Sequence, residues 1–271
     1  MHYAEFAPCS ELSPFVRCFW LLDGAEPSPV AERILPDGCV EFIINYGDPF
    51  EQIDADGRAE RQPRMLVVGP TTRALLVRPS TQVGVLGIRF LPGGAHRFLR
   101  VPAAEMADGV FDLTHLSPLP AHIAEQVDEE SEACRRVRVV EAALIAMLRR
   151  SRAGRDGVSG AVRMILASHG RVPIERLATA QGISHRHLAR RFQQTVGIGP
   201  KLLSRLVRFQ SVFSVIRDEQ PSHLTALAMR CGYFDQAHFV REFREFAGVP
   251  PSAYLDDAHQ LSDHFTGVTP D

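Results

Sequence analysis

Two stretches near the end of this 271-residue chain repeat one another, and that repeat restricts the fold more than any other feature. Leu177-Ala178 recurs as Leu227-Ala228, and Gly182 recurs as Gly232. After one inserted residue, Leu188, Arg190, Phe192, Gly197 and Pro200 recur as Phe239, Arg241, Phe243, Gly248 and Pro251. Both copies share one grammar. A short helix carrying Leu-Ala leads to a turn whose glycine suits a positive φ. Ser184 in the first copy and Asp235 in the second then stand as helix N-caps. A second amphipathic helix runs on to a glycine. Two short helices joined by a tight glycine turn form a helix-turn-helix, whose second helix enters the DNA major groove by its N-terminal end. Between the copies, Leu202, Leu203, Leu206, Phe209, Phe213 and Ile216 line one side of a long helix predicted over about 200–217. On such a spacer, two recognition helices can enter successive major grooves about 34 Å apart on one side of the duplex.

Charge follows the same division. The formal net charge is -2, yet residues 158–257 hold 13 Lys and Arg against 8 Asp and Glu. Over 184–208 there are six basic residues and no acid. In the first copy, helical periodicity buries Leu188 and Phe192 and leaves His185, Arg186, Ala189 and Arg190 facing outward. Arg is the commonest reader of guanine, bidentate to O6 and N7, so Arg186 and Arg190 are assigned to bases, and Ala189 to a thymine methyl. In the second copy Gln236, Ala237, His238 and Arg241 face outward, with Gln236 suited to adenine and Arg241 to guanine or phosphate. Arg191, Arg205 and Arg208, with the cap residues Ser184 and Asp235, fall to phosphate contact or plain surface.

Region 158–255 resembles the DNA-binding domain of AraC/XylS-type transcription regulators. The second copy carries the likeness through Cys231-Gly232-Tyr233-Phe234-Asp235-Gln236-Ala237-His238-Phe239-Val240-Arg241-Glu242-Phe243, and on through Phe246-Ala247-Gly248-Val249-Pro250-Pro251. The first copy fits through Gly182-Ile183-Ser184, His187-Leu188, Arg191-Phe192 and Gly197. The resemblance implies seven helices in two helix-turn-helix units, promoter DNA and RNA polymerase as partners, and base-facing roles for Arg186, Ala189 and Arg190 in the first copy and Gln236, Ala237, His238 and Arg241 in the second. Ala189 departs from a reading residue, which leaves Arg186 and Arg190 to carry that helix's specificity.

The first part, about 1–115, has strand character. Runs at 33–35, 39–46, 65–68, 74–77 and 83–90 are apolar or β-branched and are bounded by turn residues. A short helix is predicted over 95–99. Short strands without long helices between them suggest an antiparallel sheet or barrel. This part is similar to a group of sensor domains attached to the same DNA-binding module. The likeness rests on Ile34-Leu35-Pro36-Asp37-Gly38-Cys39-Val40-Glu41-Phe42-Ile43, Asn45-Tyr46-Gly47-Asp48-Pro49 and Gly87-Ile88-Arg89-Phe90-Leu91-Pro92-Gly93-Gly94. It implies a barrel-like β-rich sensor. Over 131–150, Val137, Val140, Leu144, Met147 and Leu148 form one apolar stripe. That helix either packs on its own domain or pairs with a second copy of the chain.

The expected architecture is therefore multidomain α+β. Residues 1–150 form a sensor or dimerisation domain, β-rich over 1–115 and helical over 120–150. A linker at 151–157 leads to an all-α domain at 158–257 and a tail at 258–271. Glu41 inside an apolar strand either points inward, needing Arg89 or the cation of a ligand as partner, or lies solvated on a wet sheet face, the simpler reading. Glu41, Arg89 and His96 are the candidate effector-binding residues. The five Cys are widely spaced with no CxxC pair, so neither a disulfide framework nor a zinc site is expected; Cys39, beside a turn, is the candidate reactive thiol. No GxSxG, HExxH, P-loop or Rossmann fingerprint occurs, so no enzyme activity and no cofactor is expected. No stretch reaches the roughly 20 apolar residues of a membrane span. The N-terminus lacks a basic and then apolar leader, which predicts a cytoplasmic protein.

Overall fold

The computed structural model describes residues 1–24, 31–151, 157–219 and 223–256. Residues 152–156 of the predicted linker and the predicted tail at 258–271 lie outside them. Ten strands are present among the described residues: β1 (His2–Phe6), β2 (Val16–Gly24), β3 (Glu32–Ile34), β4 (Glu41–Asn45), β5 (Glu51–Ile53), β6 (Ala59–Arg61), β7 (Met65–Val68), β8 (Leu75–Arg78), β9 (Val83–Phe90) and β10 (Val110–Asp112). They form two antiparallel sheets, of order β1-β2-β9-β4-β7-β10 and β3-β8-β5-β6. The barrel-like expectation thus resolves into two separate sheets.

The larger sheet is covered on both faces, and this explains its sequence. All eight residues of β9 are buried, so the strand reads as a continuous apolar run rather than an alternation. Leu86, Ile88 and Phe90 join one core with Phe19, Leu21 and Phe42. Val85 joins the other, with Trp20, Leu22, Phe50 and Val77, between the two sheets. A Cβ added at Gly87 would sit 2.0 Å from the Trp20 indole, so the missing side chain is what admits that ring.

Helices α1 (Leu113–Leu116), α2 (Ile123–Glu129) and α3 (Ala133–Arg150) follow. Val137, Val140 and Leu144 of α3 are buried in the core that lies on the larger sheet, with Met147 and Leu148 half-buried against it. The apolar stripe of α3 therefore packs within the chain, the first of its two readings. The predicted helix at 95–99 is a single 3-10 turn at Gly94–Arg97.

The remaining elements are α4 (Ser159–Ala167), α5 (Ile174–Ala180), α6 (His185–Thr195), α7 (Pro200–Glu219), α8 (Leu224–Arg230), α9 (Gln236–Ala247) and α10 (Pro251–Asp256). These are the seven helices the family resemblance implied. Leu188 and Phe192 of α6, Leu206 and Phe209 of α7, and Phe239 and Phe243 of α9 share one core. Phe209 is its centre. Its ring lies 5.3 Å, centroid to centroid, from each of Phe213, Phe243 and Phe246.

The sheets and the helices are packed together. Leu35, which follows β3, is 5% exposed and belongs to the helical core. The Arg33 guanidinium donates to the Ala247 carbonyl at 3.0 Å. The Gln210 amide donates to Pro36 O at 2.7 Å, and Ala74 N–H donates to Phe246 O at 2.8 Å. A Cβ added at Gly197 would meet Pro70 at 2.6 Å. The sheets thus hold the C-terminal ends of α6 and α9 and the flank of α7.

Candidate nucleic-acid interface

Both repeats are built by the same local chemistry. Gly182 and Gly232 have φ of 63° and 78° in their turns, a region in which a side chain is strained. The Ser184 hydroxyl accepts the His187 N–H at 3.2 Å, and the Asp235 carboxylate accepts the His238 N–H at 2.6 Å. Each is the N-cap of its helix. The Asp235 carboxylate is occupied by its own helix, and a second anion is repelled there, so the assignment of Asp235 to phosphate gives way to capping. At the far ends Gly197 and Gly248 have φ of 90° and 76° and close the two helices. Replacing Ser184 with alanine should cost about 1 kcal/mol of stability, read as a lowered denaturation midpoint with an unchanged slope.

On α6, Arg186, Ala189, Arg190 and Gln193 are exposed and follow each other at three and four residues. They form one outward stripe. Gln193 extends it by one turn beyond the residues the sequence pointed to, and its spacing from Ala189 and Arg190 is the signal that finds it. Arg191 is turned aside. Its Nε donates to His187 Nε2 at 2.8 Å on the same helix, and its guanidinium fills the space beside Gly157.

On α9, Ala237, Arg241 and Arg244 are exposed. Gln236 is exposed too, but its Oε1 accepts the Thr225 hydroxyl at 2.6 Å, so that a further partner would meet its NH2. His238 is one-third exposed, with Nε2 3.6 Å from Glu242 Oε1 and its ring edge-on to Tyr233. Phe234, just ahead of the cap, is 86% exposed.

Arg205 and Arg208 differ from their sequence assignment to phosphate. Glu242, 5% exposed, accepts Arg205 Nε at 2.6 Å and Arg208 Nη2 at 3.2 Å. Arg205 Nη2 also donates to Glu245 at 2.6 Å. Their guanidinium groups lie over Phe246 and Tyr233. Their charge ties α7 to α9 and so fixes α9 on the long helix. They line one side of an open groove of about 840 Å³ between the α4–α5 turn, α7 and α9. Exposed Arg171, Lys201 and Arg241 supply its remaining cations.

In the sheet part, the candidate effector residues separate. Arg89 is 2% exposed. Its Nε donates to Glu41 Oε1 at 2.5 Å and lies 3.7 Å from Asp37 Oδ2. The Glu41 side chain is only 14% exposed, so the wet-face reading of this residue is overturned: the smaller sheet covers that face. Burial pushes the Glu41 carboxyl above its usual range against the pull of Arg89. Burial works against the charge of Arg89, and Glu41 and then Asp37 outweigh it and hold the guanidinium protonated. His96 stands apart, with Nδ1 2.6 Å from the Gly93 carbonyl. Cys39 is 6% exposed and burial raises its thiol well above the usual value, so it is no reactive thiol, because the nucleophile is the thiolate. Among the described residues no group of three or more His, Cys, Asp and Glu is placed to hold a metal, and no helix is long and apolar enough to cross a membrane.

Residues 4–112 match a family model described as a domain of unknown function (DUF6597), and residues 177–257 match one described as a helix-turn-helix domain. An uncharacterized HTH-type transcriptional regulator of Haemophilus influenzae is 36% identical over 81 residues, which are 30% of this chain and 27% of that protein. The chain thus spans about a quarter of the length of that curated relative. A structure of ToxT from Vibrio cholerae aligns with a TM-score of 0.49 at 9% identity, covering 88% of this chain and 97% of that one. A second ToxT structure, with unsaturated fatty acid bound, aligns with a TM-score of 0.45 at 10% identity, covering 93% and 96%.

Proposed function

We propose that this chain, whose residues 177–257 match a helix-turn-helix domain, is a transcription regulator of the AraC type that reads promoter DNA with two helices and answers a small-molecule effector through its N-terminal part. One observation carries the DNA-reading half. Two capped helix N-termini, each with an exposed polar stripe, sit on one spacer helix whose other flank is held by the sheets. Arg186, Arg190 and Gln193 of α6 read bases beside Ala189, and Gln236, Ala237 and Arg241 of α9 read a second groove. Arg171 and Lys201 hold the phosphates between them, and Phe234 packs on the sugar edge. His238 serves the second site through its Glu242 contact.

The domain boundary we take is the 151–157 segment. The effector half rests on the contact between the parts. The segment from Arg33 to Glu41 touches α7 and α9 at one end and the Arg89 cluster at the other. A ligand that favours one arrangement of that segment shifts the population of the DNA-reading arrangement by the same free energy.

The test compares two variants on specific and random duplexes over a salt series. Arg190→Ala should weaken the preferred site about 5- to 150-fold, as expected for a guanine contact of about 1–3 kcal/mol, and leave random DNA nearly untouched. Lys201→Ala should weaken both equally and lower the salt slope by about 1. Equal losses on both duplexes for Arg190→Ala would remove it from the base-reading set.

A further inference from the structure

The last carbonyls of a helix have no partner within it and must find one outside. At the end of α9 the Gly248 N–H donates to Arg244 O. The next donors come from the sheet part. Ala74 N–H donates to Phe246 O at 2.8 Å, and Arg33 Nη1 to Ala247 O at 3.0 Å. Arg33 lies on β3 and Ala74 stands just ahead of β8, each beside the paired residues Ile34 and Leu75. A guanidinium at this end also meets the negative end of the helix dipole. The smaller sheet thus caps the C-terminus of α9.

The end of α6 rests on a different support. A Cβ added at Gly93, just beyond β9, would touch Thr195 and Val196 at 3.4 Å. One added at Gly197 would run into Pro70, just beyond β7, and would lie 2.7 Å from the Ala103 carbonyl. β7 and β9 both belong to the larger sheet. The long helix α7 is seated on the segment that leads from one sheet to the other. Leu35 of that segment is buried in the helical core, and a Cβ added at Gly38 would meet Leu203 at 2.8 Å.

These anchors bear on the N-terminal ends of the helices, because a helix is a lever. α9 has 12 residues, so at about 1.5 Å per residue each end lies about 9 Å from its middle. Its ties to α7 are side chains along one flank, Glu242, Phe243 and Phe246, and a flank contact permits rocking. Rocking of about 20° about the middle carries each end about 3 Å, close to one base-pair step of about 3.4 Å. Backbone carbonyls pinned at the far end oppose that motion.

We infer that the sheet part is a brace that sets the spacing between the two base-reading ends, with Arg33 and Leu35 as its positioning residues. The inference rests on the two-helix reading above. It makes the length of DNA between the two contacted segments a property of the whole chain and not of the helix-turn-helix units alone.

The test uses the full-length protein and the sequence that the wild type selects from a random duplex pool. That site is compared with the same site carrying one extra base pair at its centre. For the wild type the insertion should weaken binding about a hundredfold, as for the loss of two base contacts. For Arg33→Met and for Leu35→Ala the loss should be about tenfold or less, because the freed helix follows its displaced bases. A purely structural role lowers the affinity for both duplexes alike and leaves their ratio at the wild-type value. Arg33→Met removes one hydrogen bond from a half-buried side chain, so it decides the matter where Leu35→Ala does not fold. A ratio that is the same in the wild type and Arg33→Met, or a wild-type ratio near one, overturns the brace and leaves the two-helix reading standing. A wild type that selects no sequence removes that reading and the brace with it.

Discussion

Replacing Arg89 with alanine should destabilise the sheet part by about 3–5 kcal/mol, the cost of leaving a buried charge without its partner. Two carboxylates lose their cation at once, Glu41 at 2.5 Å and Asp37 at 3.7 Å. The side chain is also among the largest fully buried ones, so its loss leaves a hole as well as a charge. Acidity separates the two causes. The Glu41 carboxyl is already raised above its usual range by burial, and removing the guanidinium raises it further. A carboxyl raised in the folded state adds stability below its unfolded pKa and loses it as the pH rises through the folded one. The deficit of Arg89→Ala should therefore be full at neutral pH and shrink as the pH falls into the carboxylate range. Urea midpoints of both proteins at several pH values check this. A deficit that does not change with pH would assign the whole effect to the hole.

Replacing Phe209 with alanine should cost a similar 3–5 kcal/mol, in the helical part. Phe209 is fully buried and its ring contacts those of Phe213, Phe243 and Phe246. These rings join the spacer helix to the second recognition helix. The loss should therefore appear twice: as a lower denaturation midpoint, and as weaker binding to the preferred DNA site at temperatures where the variant is still folded. Phe209→Leu keeps most of the volume and should recover most of both. A destabilised variant that still reads DNA with wild-type preference would show that the α7–α9 packing does not set the recognition geometry.

What could be read from the sequence was local. Ser184 and Asp235 cap because a short acceptor side chain reaches the N–H three residues ahead, and Gly182, Gly232, Gly197 and Gly248 turn because they carry no Cβ. Those choices depend on neighbours within one turn, and the repeat states them twice. The rest depends on residues far apart in the chain. Glu41 meets Arg89 across 48 positions, and Arg205 meets Glu242 across 37. Nothing near Arg205 marks it as an internal tie rather than a phosphate contact. β2 escapes notice for a related reason. Both its faces are covered, so Phe19, Trp20, Leu21 and Leu22 run on without alternation, and a short apolar run fits a buried strand and a buried helix equally. The insertion of Leu35 into the helical core has no sequence signature, because the segment is irregular there and its partner is the other part of the molecule.

The central claim is that two exposed recognition helices on one spacer read a particular DNA sequence. The direct measurement is the affinity of the full-length chain for DNA from upstream of its own gene against random duplex of equal length, at one fixed salt concentration. The account predicts a preference of about a thousandfold or more for a site within the upstream DNA, lost in a double variant Arg190→Ala, Arg241→Ala that keeps its fold. Equal affinity for both duplexes, with the same salt dependence, would contradict it.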